Sequence, residues 1–144
     1  MRLIDLKDAS IRILEEYVNL RNKYVKELNT RKVTLRETLN WLEKGNVIIM
    51  GLEENQELLG VGIIYLDKNK EFTYFAKHPG KGIGTALLEK IEEVAVDNKL
   101  EKLWAQVNVD NVRSISCFKK NNWNYSENKN GKMYFTKELK ASKV

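Results

Sequence analysis

The stretch Phe75 to Ile91, Phe-Ala-Lys-His-Pro-Gly-Lys-Gly-Ile-Gly-Thr-Ala-Leu-Leu-Glu-Lys-Ile, constrains this chain more than any other. Its first residues end an aromatic, strand-like run. Gly80, Gly82 and Gly84 then crowd a very short turn, and Ile83, Leu87, Leu88, Ile91, Val94 and Ala95 recur at helical spacing. The pattern is strand, glycine turn, helix. Closely spaced glycines let the backbone approach a ligand and adopt conformations a side chain forbids, and the first N–H groups of the helix are left pointing outward. Such donors, with the helix dipole behind them, suit phosphate oxygens. Two well-known phosphate loops do not fit. There is no Gly-x-x-x-x-Gly-Lys followed by Ser or Thr, and Thr85 and Leu87 stand where the dinucleotide fingerprint needs its third glycine.

With 144 residues the chain is expected to form one domain, residues 1–144, with a core that needs no staples. Cys117 is the only cysteine, so no internal disulfide forms. No apolar run is long enough for a membrane span or a signal-peptide core, which makes the cytoplasm the expected compartment and a membrane an unexpected partner. The net charge of +5 suits a phosphate-bearing ligand, yet the cations are spread along the chain. They form no block of the kind that marks a nucleic-acid tail, so no nucleic-acid partner is expected. Nor is a metal site. The pattern does not choose between a monomer and a homodimer.

Taken in order, Met1 to Leu6 alternates weakly and reads as a first strand, with Asp8 as the N-cap of an amphipathic helix that carries Ile11, Leu14, Tyr17, Val18, Tyr24 and Val25 and runs into the twenties. Thr34 and Glu37 have capping-box spacing ahead of Leu35, Leu39 and Leu42, and Gly45 ends that helix. Arg21-Asn22-Lys23 and Arg31-Lys32 are either a solvated surface or a wall that favours an anionic acceptor. Val47 to Met50 and Leu58 to Leu66 read as a hairpin, with Gly60 and Gly62 marking a bulge or close packing in its second strand. Glu71 to Lys77 is the next strand. After the glycine turn, a long helix runs to about Asp97, Leu103 to Val109 is a strand, and a short helix ends at Asn121-Asn122. A last hairpin, Trp123 to Tyr125 with Lys132 to Leu139, turns around Asn128 to Gly131, and the tail beyond Leu139 is expected to fray.

Gly80-Lys-Gly-Ile-Gly-Thr-Ala-Leu-Leu88 resembles the acyl-CoA pyrophosphate loop and following helix of the GNAT superfamily of N-acetyltransferases. The run Val107 to Trp123 resembles the last signature of the same superfamily: Asn111 opens a helix, Ser114 follows three later, Phe118 seven later, and Lys120-Asn-Asn-Trp123 closes it. Two matches in order, each in its strand and helix context, are far more specific than one. The resemblance implies an α/β (α+β mixed) fold: a predominantly antiparallel sheet of six to seven strands, about four flanking helices, and a central pair, Glu71–Lys77 and Leu103–Val109, splayed at one end. Acetyl-CoA would lie there, its pantetheine on the main chain near Phe75 and Lys77. Its diphosphate would rest on the N–H groups of Lys81, Gly82, Ile83, Gly84 and Thr85, beside Gly80, with Asn111, Ser114, Phe118 and Lys120 on the other wall. Arg21 to Leu42, ending near Trp41, is faintly similar to members that acetylate amino groups of nucleotide-linked sugars.

The implied activity is acetyl transfer to the primary amine of a small acceptor. Acetylation of a protein N-terminus or a polyamine is the alternative within the enzymes, and a member that binds acyl-CoA without turning it over is the alternative outside them. Acetyl transfer needs a neutral amine, a stabilised oxyanion and a proton for the departing thiolate. Glu71 falls where the family often places its base; it is equally an ordinary carboxylate at a strand start. The family's tyrosine, the usual thiolate proton donor, is here Phe118, leaving Cys117, Ser116, Tyr125, Tyr134 or water. A lone cysteine at helical spacing is also a packing residue. The loop is shortened, with Pro79 in place of a Gln or Arg, so the phosphate grip falls to backbone and to Lys81 or Lys77. His78, the only histidine, reads as structural or phosphate-adjacent.

Overall fold

A computed structural model describes residues 1–28 and 30–139. The tail expected to fray after Leu139 lies outside the described residues. The chain runs β1 (Arg2–Asp5), α1 (Ile11–Asn22), α2 (Leu35–Lys44), β2 (Val47–Glu54), β3 (Glu57–Tyr65), β4 (Glu71–Ala76), α3 (Ile83–Asp97), β5 (Lys102–Asn108), α4 (Val112–Lys120), β6 (Asn124–Lys129) and β7 (Lys132–Glu138). The strands form one seven-stranded sheet in the order β1-β2-β3-β4-β5-β7-β6. Every neighbouring pair is antiparallel except β4 and β5, which run parallel. This is the mixed sheet with four α-helices that the resemblance implied.

The sheet buries both faces. On one, Leu14, Tyr17 and Leu20 of α1 and Leu42 of α2 pack on Ile49, Val61, Ile63 and Phe75. On the other, Leu88, Ile91 and Ala95 of α3 and Phe118 of α4 pack on Ile64, Phe72, Ala105 and Phe135. Alternation along β4 divides its side chains between these layers: Thr73 and Phe75 turn to α1 and α2, Phe72 and Tyr74 to α3 and α4.

Helix ends follow local chemistry. Thr34 and Glu37 form the expected capping box, and Gly45 closes α2 in the left-handed conformation. At α1 the cap is Ser10, whose Oγ accepts from the Ile13 N–H at 3.3 Å. Asp8 instead lies in a short 3-10 turn, Leu6–Asp8, capped by Asp5, so the helix starts one residue pair later than its spacing suggested. The last hairpin is also tighter than expected: Asn128 and Lys129 belong to β6, and Asn130-Gly131, both at positive φ, make the turn. Gly60 answers a need for close approach, because a Cβ there would meet Ile83 Cγ2 at 2.5 Å; Ile83 is the first residue of α3. No helix among the described residues is long and apolar enough to cross a membrane.

Candidate active site

One backbone pairing, Glu71 with Trp104, joins β4 to β5 among the described residues, through a Trp104 N–H bond of 3.3 Å to Lys70 O. Beyond it the strands part around a cavity of ≈ 990 Å³. Its walls are Tyr74 and Phe75 on β4, Gln106 and Val107 on β5, the glycine turn, and the inner side of α4. The parity of β4 decides which main-chain groups face this wedge. Lys77 N–H donates to Leu59 O at 2.8 Å, so odd-numbered residues turn their groups toward β3, and Phe72, Tyr74 and Ala76 turn theirs toward the opening. Tyr24 O–H donates to Ala76 O at 2.6 Å. The main-chain groups of Phe75 and Lys77, where contacts were expected, thus face β3, and those facing the wedge belong to their even-numbered neighbours. Lys77 is committed elsewhere, its Nζ 2.6 Å from Glu57 Oε1.

At the mouth of the wedge, Gly80 and Gly82 have φ of +85° and +79°. Gly82 is the N-cap of α3 and brings no side chain to its first amides, whereas Ser10, Thr34 and Asn111 cap the other three α-helices with theirs. A Cβ at Gly82 would meet nothing within 4 Å; one at Gly80 would lie 3.4 Å from the Arg113 guanidinium. Arg113, in the first turn of α4, therefore stands over the turn where lysines were expected. Lys81 is exposed and outside the wall of the cavity, while Lys120 lies on it. His78 is exposed beside the turn. Bare amides, positive-φ glycines and a facing guanidinium are a fit for a diphosphate, and the wedge is a fit for an extended arm.

The far wall is a small polar cluster. Asn111 Oδ1 accepts from Ser114 N–H at 3.3 Å, so its side chain serves as the cap of α4. Ser114 Oγ donates to Tyr74 Oη at 3.1 Å, and Thr85 Oγ1 lies 3.8 Å from Cys117 Sγ. A Cβ at Gly84 would meet the Tyr74 ring at 2.9 Å and Cys117 Sγ at 3.3 Å, so the small residue is what lets Tyr74 fit between α3 and α4. Burial, and then the neighbouring Cys117, push the Tyr74 phenol well above its ordinary range. Phe118 is 2% exposed, stacked on Phe135 at 5.4 Å and edge-on to Trp123 at 4.9 Å. Among the residues considered as proton donors, Ser116 and Cys117 line the wedge; Tyr125 packs on Phe135 and Tyr134 on Trp104, away from it.

A second cavity, ≈ 460 Å³, lies on the α1–α2 side of the sheet. Glu71 lines it, 9% exposed, its Oε2 accepting from Gln106 Nε2 at 2.9 Å. Thr73 and Gln106 belong to both cavities, so the two spaces meet beside this carboxylate. Arg21, 3% exposed, is on the opposite wall with Trp41 and Tyr65. Arg113, Gln106, Tyr74 and Arg21 were not assigned to the site from sequence. Only Arg21 carried a signal, as part of a cationic stretch.

The family model described as Acetyltransferase (GNAT) family matches residues 14–123. No curated protein matches the chain. Among solved structures, a ribosomal-protein-alanine N-acetyltransferase from Brucella melitensis superposes with a TM-score of 0.78 at 19% identity, covering 96% of this chain and 100% of its own. YncA of Salmonella typhimurium, a putative acetyltransferase with its cofactor acetyl-CoA, gives 0.78 at 18% identity over 99% and 96%. The Campylobacter jejuni N-acetyltransferase PseH in complex with acetyl coenzyme A gives 0.73 at 19% identity over 96% and 99%.

Proposed function

Because the chain belongs to the GNAT acetyltransferase family, and so is an N-acetyltransferase that uses acetyl-CoA, we propose that it acetylates the primary amine of a small acceptor held beside Glu71. The observation that carries this reading is the junction of the two cavities at Thr73 and Gln106, with Glu71 2.9 Å from Gln106. An acceptor on one side and a cofactor arm on the other then meet at one carboxylate. We take residues 1–144 as one catalytic domain.

When bound, acetyl-CoA supplies an activated acetyl thioester. The Gly80–Thr85 amides, Arg113 and Lys120 hold the phosphates, and the main-chain groups of Tyr74 and Ala76 face the arm. Glu71 takes the amine proton, with Gln106 fixing the carboxylate so that one oxygen stays oriented. Tyr74 keeps its proton at any working pH because its pKa is raised. It therefore acts as a hydrogen-bond donor to developing negative charge more than as an acid that gives the proton away. That restores, from a strand, a hydroxyl that Phe118 lacks. Cys117 is assigned to packing beneath it.

The test has two stages. Thermal shift with acetyl-CoA and CoA must raise the melting temperature, since a ligand selective for the folded state stabilises it. A thiol-release assay across an amine panel, amino sugars linked to nucleotides included, then finds the acceptor. Glu71→Gln should lower turnover by roughly two to four orders of magnitude while sparing CoA binding. Unchanged rates across the pH range would remove Glu71 from the mechanism.

A further inference from the structure

Arg21 is a buried cation with no anionic partner among the described residues. It sits in the last turn of α1, 3% exposed, and none of the ion pairs among the described residues includes it. Its Nη1 donates to Tyr17 Oη at 2.8 Å, its guanidinium lies 5.1 Å from the centre of the Trp41 ring, and its Nε is buried without a partner. The Tyr65 hydroxyl lies near enough to act on its charge. Neither phenol neutralises the charge. Burial pushes Tyr17 up to about 12 and raises Tyr65 as well, so both are neutral at physiological pH. The carbonyl end of α1 offsets only about half a charge. A desolvated guanidinium left in this state is unfavourable unless something supplies the missing anion.

The residue is not walled off. It lines the ≈ 460 Å³ cavity that also holds Glu71, and both charges bear on the Tyr65 hydroxyl between them. They do not pair with each other, and Gln106 holds Glu71. The other cation of this wall that has an acidic partner, Arg31, is spent on Glu37 at 2.6 Å. The cavity thus presents one buried, uncompensated positive charge across from one buried carboxylate, with the exposed Glu27, Lys44 and Lys68 on its solvent side.

We propose that the acceptor is an amine carrying an anionic group on the same small molecule, the anion set against Arg21 and the amine against Glu71. This rests on the acetyltransferase reading above and names its acceptor class. A guanidinium takes carboxylate or phosphate oxygens equally well, so the two sources are separated by the probes.

The experiment measures binding of acetylated products to the CoA-loaded full chain by calorimetry, which removes differences in amine ionisation. The pairs are N-acetylalanine with N-acetylalaninamide, N-acetylphenylalanine with its amide, and N-acetylglucosamine 6-phosphate with N-acetylglucosamine. In at least one pair the anionic member should bind at least tenfold more tightly, and the parent amines should show the same order in kcat/KM. Discrimination in the first two pairs identifies a carboxylate, and in the third a phosphate. Arg21→Gln should bring the ratio close to one with acetyl-CoA affinity unchanged. Arg21→Lys, which keeps the charge without the planar fork, should leave an intermediate ratio and serves if the Gln variant does not fold. Equal binding within every pair, with amines still acetylated, overturns this inference and leaves the transferase reading intact. Absence of acetyl-CoA binding overturns both.

Discussion

Gly60→Ala tests how the sheet positions the phosphate-binding end of α3. The added methyl would lie 2.5 Å from Ile83 Cγ2, 3.1 Å from Leu87 Cδ1 and 3.2 Å from Phe75 O. Carbon atoms in contact normally sit about 3.5–4.0 Å apart, so the first overlap exceeds about 1 Å. Leu87 has a flexible end to move; Ile83 is β-branched, buried and the first residue of the helix, so relief there displaces the helix start itself. Overpacking of this kind costs about 1–3 kcal/mol, and the reduced freedom of the unfolded chain returns about 0.4–1 kcal/mol. The net loss is about 1–2 kcal/mol, which for a domain of this length lowers Tm by about 3–6 °C. Urea denaturation read by tryptophan fluorescence measures the stability, and calorimetric titration with CoA measures the site. Affinity should fall several-fold because the amides after Gly82 have moved. Adding Ile83→Leu deletes the clashing Cγ2 and should recover most of both losses. Gly62→Ala is the control, since the nearest atoms to its methyl are the Phe72 ring edge at 3.2 Å and Ile91 Cδ1 at 3.7 Å. Wild-type stability in Gly60→Ala, or no recovery with Ile83→Leu, refutes the packing argument.

Alkaline stability follows from the buried phenols: Tyr17 rises from 10.0 to about 12, chiefly by burial, and Tyr65 and Tyr74 shift the same way. The contribution is intact below pH 10 and is lost between 10 and about 12, where the unfolded chain ionises first. Each pH unit in that window removes about 1.4 kcal/mol through Tyr17 alone, and urea midpoints unchanged from pH 9 to 11 would contradict it. Thr34→Ala removes the cap of α2 and should cost about 1 kcal/mol by the same denaturation assay. The partner Glu37, held below its ordinary 4.5 mainly by Arg31, contributes above that pH and loses its effect as the pH falls through the lowered value. Cys117→Ala should leave kcat within about threefold, since Sγ packs beneath the Tyr74 phenol and against Thr85 and Asn121; complete inactivation in a steady-state assay would make the thiol chemical.

Local order and local chemistry were readable along the chain. The strand, glycine turn and helix of 71–97, the Thr34–Glu37 box and the left-handed Gly45 each depend on residues within a few positions of one another, which is the range over which spacing carries meaning. Even there, the cap expected at Asp8 was displaced, because the preceding 3-10 turn used Asp8 and left Ser10 to start α1. The site was legible only where it is local. Gln106 lies 35 residues from Glu71, and Tyr24 lies 52 from the Ala76 carbonyl it binds, so no spacing rule joins them. Arg113 reaches Gly80 only because α4 packs beside α3. The direction of the main-chain groups of β4 required one known hydrogen bond to set the parity, and without it Phe75 and Tyr74 are equally plausible partners for a bound arm.

That parity also explains why an interrupted sheet is useful here. Successive residues of β4 serve opposite sides: Glu71 and Thr73 look into the cavity under α1 and α2, while Tyr74 looks toward α3 and α4. Had β5 stayed zipped to β4 beyond Glu71–Trp104, a continuous ladder would separate the carboxylate from anything bound against α3. The strands part immediately after that pair, so Glu71 stands at the vertex of the opening and not along one of its arms. An acceptor anchored by its charge on Arg21 then needs to reach only as far as Gln106 to enter the wedge between β4 and β5. The same splay turns the main-chain groups of Tyr74 and the N–H of Ala76 to the gap, where an extended amide-bearing arm can satisfy them as a neighbouring strand would; the Ala76 carbonyl already accepts from Tyr24. Cofactor binding and the integrity of the central sheet are therefore one equilibrium, and a saturating cofactor should protect the β4 amides from exchange more than those of residues 50–53 in β2, which lie between β1 and β3 without it.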